Sequence, residues 1–293
     1  MEPILLIGAG GQLGSDLQKA LPAASLIPLK RADLDVTDPA AVDRALATHA
    51  PAWVINTAAF HRVDDIEKDE HGEAQRAFAV NGVAAWRLGT ACARRSARLL
   101  HLSTDYVFGG GPPGPYAEDA PPAPLSVYGA SKLAGEHLIC QASPRHVVVR
   151  SSGLYGVAGS AGKGGNFVET MLRVAGEGKP LRVVEDQVST PTYTLDLAEA
   201  IARLVAADPP GGVYHLTNAG ECSWFEFARR IFTLCDRAAQ LSPTTSAEYK
   251  APAARPPHSV LQNARAAALG LSPLRPWPQA LEAYLRAKGH LGR

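Results

Sequence analysis

The sequence predicts an α/β protein: a doubly wound parallel sheet with a smaller C-terminal domain interleaved with it. Three observations carry this. Over the first 150 residues, short apolar runs alternate with helical runs, the pattern of a parallel sheet covered on both faces. A glycine turn, Gly8-Ala-Gly-Gly11-Gln-Leu-Gly14, joins the first apolar run to the first helical one. After Tyr155 the alternation loosens, and a proline-rich stretch at 251–259 leaves no room for regular hydrogen-bonded structure. The expected division is a dinucleotide-binding unit at 1–152, with 190–216 packing back on it, and a substrate-binding unit at 153–189 and 217–293.

The first strand, 3–8, is a continuous apolar run, as in a buried parallel strand. In the turn after it, Gly8 permits a tight reversal and Gly11 lets backbone approach a pyrophosphate. Gly14 lets the helix lie close to the strand, and Gln12 and Leu13 begin that helix, whose N-terminus faces the anion. The second strand, 25–30, ends at Lys30 and Arg31. A base here meets a 2′-phosphate, which favours NADPH, or else is a solvated charge at a strand end. Asp35 and Val36 lie where an adenine is bracketed, and Asp38 with Pro39 makes an N-cap followed by proline at N1. The third strand, 52–57, runs into Ala58, Ala59, Phe60 and His61, small and flat enough to let a cofactor cross the sheet edge. His61 reads as a lining residue rather than a base. A long helix at 73–95 carries Asn81 amid apolar spacing, placed to hydrogen-bond the backbone of a neighbouring element. The fourth strand, 97–103, ends in two hydroxyls, Ser103 and Thr104.

A loop of glycine, proline and acids follows, then Tyr128 and Lys132 at i and i+4, on one helix face. A free phenol has a pKa of roughly 10. A nearby ammonium favours the phenolate, so Lys132 is expected to keep the phenol acidic enough to pass a proton to a carbinol oxygen. Thr104 can hold the same oxygen by a hydrogen bond. Topology brings the glycine turn, Ala58–His61 and Ser103–Thr104 together at the C-terminal strand ends, and that convergence makes the Tyr–Lys pair a catalytic candidate.

The composition bounds the partners. The 293 residues are 46% apolar and 19% charged, with a net charge of +1 and no basic block, so neither nucleic acid nor a membrane surface is expected. No apolar run approaches the roughly 20 residues of a membrane span, and the N-terminus has no basic region of a signal peptide. Cys92, Cys140, Cys222 and Cys235 show no metal or redox spacing. They read as buried free thiols in a reducing, cytoplasmic compartment.

In order along nearly the whole chain, GAGGQLG (8–14), LDVTD (34–38), VINTAAFHRVDDIE (54–67), STDYVF (103–108), YGASKLAGE (128–136), GGNFVETML (164–172), DQVSTPTYTLDLA (186–198), SWFEFA (223–228) and ARPPHSVL (254–261) resemble the extended short-chain dehydrogenases/reductases. Within them the chain is similar to the dTDP-4-dehydrorhamnose reductase family. The resemblance implies a Rossmann-type fold and reduction of the 4-keto group of a dTDP-6-deoxy-hexulose by NADPH or NADH. It implies Tyr128 as proton donor, Lys132 as its partner and Thr104 as the tuning hydroxyl. It places cofactor contacts at Gly11, Gln12, Leu13, Asp35, Val36, Ala59, Phe60, His61, Tyr128 and Lys132, and sugar-nucleotide contacts at Thr104 and Asp105. Gly153 stands where the family carries a tryptophan against the sugar, and the loop 156–166 is richer in glycine. For the diphosphate, Arg255 and Lys163 are available, Arg255 otherwise being a structural ion pair. Asn166 is an N-cap or a pocket amide, and Trp224 reads as core. Some members hold Mg²⁺ through a carboxylate at the position of Asp16, which here reads as a solvated helix acid. The expected assembly is a monomer or homodimer. Two rival readings are the same chemistry on another nucleotide sugar, and a binding role like that of the methionine adenosyltransferase regulatory subunit, which is similar in fold and motif order.

Overall fold

The computed structural model describes residues 2–111, 114–159 and 165–291. The first half runs β1 (Ile4–Ile7), α1 (Gln12–Ala20), β2 (Leu26–Leu29), α2 (Pro39–His49), β3 (Trp53–Asn56), α3 (Val63–Lys68), α4 (Glu73–Ala77), α5 (Ala85–Arg94), β4 (Arg98–Thr104), α6 (Val127–Ala142) and β5 (Val147–Ser151). The second runs β6 (Leu154–Tyr155), α7 (Phe167–Gly176), β7 (Leu181–Val184), β8 (Val188–Ser189), β9 (Thr192–Tyr193), α8 (Thr194–Ala206), β10 (Gly212–His215), β11 (Cys222–Ser223), α9 (Trp224–Leu234), β12 (Leu241–Thr244), α10 (Ser246–Tyr249), α11 (Ala264–Ala268) and α12 (Trp277–Ala287).

Six strands form one sheet in the order β2-β1-β3-β4-β5-β10, every pair parallel. The winding reverses between β1 and β3. At such a switch point the connections leave to opposite faces and open a crevice at the strands' C-terminal ends. β1, β3 and β5 are buried along their whole length, which requires helices on both faces. Because side chains alternate, Leu6 and Ile55 join Leu17, Ile201 and Leu204 from α1 and α8 in one core. Their neighbours Leu5 and Val54 join Leu88, Cys92 and Ile139 from α5 and α6 in the other. Each such side chain contributes about 1.5–3 kcal/mol by leaving water. A third cluster gathers Tyr155, Tyr193, Phe227 and Tyr284 with α7, α9 and α12. Two-stranded pairs, β7 with β12 and β8 with β11, border it. α8 packs on α1, so the chain returns to the sheet between these segments.

Local signals held where they had a mechanism. Asp38 caps α2, accepting from the N–H groups of Ala40 at 2.9 Å and Ala41 at 3.2 Å, with Pro39 next. The long helix is where pattern and structure differ. Between α4 and α5 lie seven π-helical residues, Phe78–Ala84. An extra residue in a turn leaves the apolar rhythm nearly intact, so periodicity does not register it. The thiols are a second correction: Cys92 and Cys222 are buried, but Cys235 is only half-buried and Cys140 is exposed on α6. No helix among the described residues is long and apolar enough to cross a membrane.

Candidate functional site

A cleft of about 990 Å³ opens along the C-terminal ends of β1, β3, β4 and β5. Each residue singled out above as a cofactor, catalytic or substrate candidate lines it, except Lys163, which lies outside the described residues together with the rest of 160–164 in the glycine-rich loop.

At one end is the glycine turn. Gly8 has a left-handed backbone, φ +84°, and a Cβ on it would stand 2.5 Å from Thr57 Oγ1. A Cβ on Gly14 would stand 2.2 Å from the Gly8 carbonyl oxygen, so helix and turn touch backbone to backbone. Gly11 is the N-cap of α1, with no side-chain cap and no acid in the first turn. An open, positively polarised helix end behind a cradle that side chains would fill fits a dinucleotide pyrophosphate. Gln12 is partly committed elsewhere: its Oε1 accepts from the Gly156 N–H at 3.0 Å, tying this turn to the loop after β6. Lys30 and Arg31 are exposed where they line the cleft. The Asp35 carboxylate accepts the N–H and hydroxyl of Thr37 at 2.9 and 2.7 Å, bonds that hold it below its ordinary range, while Val36 is buried behind it.

Ala58–His61 form the floor after β3. Its shape is set from the π-helical segment. The fully buried Asn81 accepts from the Phe60 N–H and donates to the Phe60 carbonyl, each at 2.9 Å, and donates to Ser131 Oγ at 3.0 Å. This is the backbone clamp expected of Asn81.

At the other end, Thr104 finishes β4. Its hydroxyl donates to Asp105 Oδ1 at 3.1 Å and accepts from the Tyr106 N–H at 3.2 Å, and the Tyr128 phenol lies close enough to be influenced by it. Asp105 also accepts from Ser152 at 3.0 Å and Ser259 at 2.6 Å. Burial outweighs those three hydroxyls and pushes the Asp105 carboxyl up to about 6. Desolvation, then the Asp105 charge, push the Tyr128 phenol above its ordinary range, with the nearby Thr104 hydroxyl opposing them. Lys132 is not among the groups that shift this phenol. Lys132 is 1% exposed, and its Nζ turns to β4, donating to the Leu102 carbonyl at 2.6 Å and lying 3.1 Å from His101 Nε2. Desolvation brings Lys132 down to about 8, against the pull of Glu136. Ser103 lines the cleft, yet its hydroxyl donates to Glu136, which is paired with Arg150 at 2.7 Å.

Gly153 follows β5 with φ +55°, and a Cβ there would stand 3.1 Å from Pro191 Cα. Asn166 proves to be the N-cap of α7, accepting from Glu169 N–H at 3.1 Å. Its amide donates to Gly156 O at 3.1 Å and Tyr284 Oη at 3.0 Å. Arg255 is an ion pair with Asp64 at 2.8 Å, held against Tyr106 at the cleft wall. Trp224 is half-buried against Phe167, ring centroids 4.7 Å apart, but it also lines the cleft. Asp16 is a correction. It is 1% exposed, accepting from Thr194 Oγ1 at 2.5 Å and pairing with Lys19 at 2.7 Å, so it pins α8 to α1 and is not solvated. No group of acids, histidines or cysteines among the described residues could hold a metal ion. Sequence reasoning missed His101, Ser152, Ser259 and Asn56. Ser259 and Asn56 sit inside motifs quoted above, ARPPHSVL and VINTAAFHRVDDIE, and Ser152 adjoins Gly153, which were usable signals; His101 carried none.

A parallel sheet with its crevice at the switch point, a glycine cradle and a threonine–tyrosine pair define a Rossmann-type protein with the frame of the short-chain reductases. More narrowly, the chain belongs to the family described as RmlD substrate binding domain, which matches residues 1–289. It is 42% identical to the dTDP-4-dehydrorhamnose reductase of Streptomyces griseus, over 99% of this chain and 95% of that one. It is 37% identical to the dTDP-4-keto-6-deoxy-D-glucose reductase of Streptomyces niveus, over 94% of each. The solved dTDP-4-dehydrorhamnose reductase of Bacillus anthracis in complex with NADP superposes with a TM-score of 0.91 at 36% identity, covering 98% of this chain and 99% of that one.

Proposed function

We propose that this chain reduces the 4-keto group of a dTDP-4-dehydro-6-deoxy-L-hexose with NADPH or NADH, giving dTDP-L-rhamnose. The observation that carries it is that Thr104, at the end of β4, and Tyr128 line the same cleft that begins at the glycine turn. The α1 N-terminus and the Gly8–Gly14 turn hold the pyrophosphate, Ala58–His61 carry the cofactor across the strand ends, and Arg31 with Lys30 favours the 2′-phosphate of NADPH. When bound, the reduced nicotinamide supplies the hydride. Tyr128 supplies the proton to the sugar oxygen: its O–H bond breaks as the carbinol O–H forms, and solvent returns the proton. A phenol held above its usual range is fully protonated at neutral pH, the state a reductase needs before reaction. Thr104 orients that phenol, and Asp105 in turn orients Thr104. Segments 153–189 and 217–293 form the sugar-nucleotide side against the sheet of 1–152, with Arg255 and Asn166 at its wall. We place the enzyme in the cytoplasm, as a monomer or homodimer without a resident metal.

Gly153 favours a second reading, the same chemistry on another dTDP-6-deoxy-hexulose, and the niveus relative bears such a name. NADPH oxidation assayed with dTDP-4-dehydro-6-deoxy-L-lyxo-hexose and with its D-xylo epimer separates the two. No turnover with either supports a purely binding role. In the active pairing, Tyr128→Phe is expected to lower kcat by at least about a hundredfold, the scale of general acid catalysis. Cofactor affinity, read by fluorescence, should stay unchanged. A variant with near-normal kcat would remove Tyr128 as the acid.

A further inference from the structure

α3 (Val63–Lys68) begins where the cofactor floor Ala58–His61 ends, and two of its acids bond to two different walls of the cleft. Ile66, fully buried, anchors the helix. Asp64 and Glu67 stand at i and i+3, on one side of it. Asp64 accepts from the Arg255 guanidinium at 2.8 Å and from the Ala253 N–H at 3.3 Å. It thereby holds two points of the proline-rich stretch, which ends in Ser259 on Asp105. Glu67 accepts from the Val127 N–H at 3.0 Å. Val127 is the first residue of α6 and Tyr128 the second. A carboxylate on such an N–H makes a charge-assisted bond and also favours the positive end of the helix. Tyr106 closes the circuit: its ring meets Tyr128 edge-on, centroids 6.0 Å apart, and lies against Arg255. A Cβ on Gly129, the next residue of α6, would stand 2.3 Å from the Tyr106 carbonyl oxygen, so the first turn of α6 has no slack there.

A nucleotide sugar carries its diphosphate on C1 and the carbonyl to be reduced on C4, at opposite ends of one pyranose ring. The enzyme therefore needs a cation and a proton donor at one fixed spacing, set before the substrate arrives. A guanidinium offers more N–H donors than the contacts of Arg255 with Asp64, the Ala253 carbonyl and Tyr106 use, so it can take a diphosphate without leaving Asp64. Building on the reductase reading, we propose that Asp64 and Glu67 are positioning residues. Through them α3 holds the anion arm, Arg255, and the proton donor, Tyr128, at the spacing of one pyranose ring. Asp65, beside them, pairs with Arg62 at 2.7 Å on the exposed side and belongs to neither contact.

The test uses the full chain with NADPH and the epimer that turns over. Asp64→Ala is expected to raise the KM for the nucleotide sugar about three- to tenfold, the ordering cost of one long side chain. In an Arg255→Ala background the same change should add nothing further. A full additional loss there would mean that Asp64 acts by another route, and overturns the inference. Glu67→Ala is expected to lower kcat about tenfold or more, with a smaller change in KM, because the Tyr128 oxygen moves off its line. Glu67→Gln keeps an acceptor for the Val127 N–H and should recover most of that rate. A Glu67→Gln as slow as Glu67→Ala, or a Glu67→Ala of unchanged kcat, overturns the inference. Asp65→Asn removes one charge from the same helix and should alter neither constant; losses equal to those of Asp64→Ala would reduce the effect to net charge and overturn it. Calorimetric titration with dTDP gives a readout without turnover. Its affinity should fall by the same factor in Asp64→Ala, and an equal affinity, or no binding by the unmodified chain, overturns the inference. An unmodified enzyme that binds dTDP but turns over neither epimer defeats the reductase reading, and the Asp64→Ala titration still decides the role of Asp64.

Discussion

Gly153 occupies the left-handed region, φ +55°, with the Pro191 Cα beneath it. An L side chain in that region costs about 1–2 kcal/mol. Gly153→Ala is therefore expected to lower the unfolding free energy by about that amount, read from urea titrations with an unchanged slope. An equal or higher midpoint would mean the backbone relaxes freely. A tryptophan at this position would require this strand exit to change its path. At this scale the sequence was a good guide to which residues reach the cleft and a poor one to what their side chains do there. Lys132, Gln12, Ser103 and Asn166 line it as their motifs suggest, but each spends hydrogen bonds on β4, Gly156, Glu136 or Tyr284. Those partners lie far off in sequence, and spacing says nothing about them.

Among the elements, β1 and α1 meet with no room to spare. Gly14→Ala places a methyl 2.2 Å from the Gly8 oxygen, and backbone on both sides leaves nothing flexible to move. The expected cost is about 1–3 kcal/mol, as for overpacking. Dinucleotide affinity should fall at least about tenfold, since the same shift reorients the α1 N-terminus and about 1.4 kcal/mol corresponds to that factor. Calorimetric binding at a temperature where the variant stays folded checks it, and undiminished affinity would mean the pyrophosphate site lies elsewhere. The first-half strands were legible because each pairs an apolar run with a turn. The π-helical segment was not, although its one polar residue, Asn81, was recognisable as out of place and holds Phe60. Asp16 was misjudged because its partner Thr194 is 178 positions away and reaches it only once α8 has returned to α1.

For the whole molecule, the sheet's burial sets an acid limit on stability. His101, His146 and His215 are each no more than 1% exposed. In each ring one nitrogen accepts from a fixed donor: Asn56 Nδ2 for His101, the Leu99 N–H at 3.1 Å for His146, and Arg150 at 3.5 Å for His215. Protonation must break that bond, so burial and neighbouring cations hold all three rings below the usual imidazole range, His215 at about 3. Below about pH 6.5 the unfolded chain takes up protons that the folded chain refuses. Stability is therefore unaffected by these groups above that pH and falls as the pH drops beneath it, by up to about 1.4 kcal/mol per pH unit for each ring. Asp105 acts in the opposite sense: held at about 6, it retains a proton between its unfolded and folded values, and it offsets one ring over that interval. The net expectation is a loss of a few kcal/mol between pH 6.5 and 5, measured as the unfolding free energy in urea at closely spaced pH values. Stability that holds level or rises across that interval would mean that at least two of the three rings already carry a second proton in the folded protein, and the hydrogen-bond directions assigned to them would then be wrong.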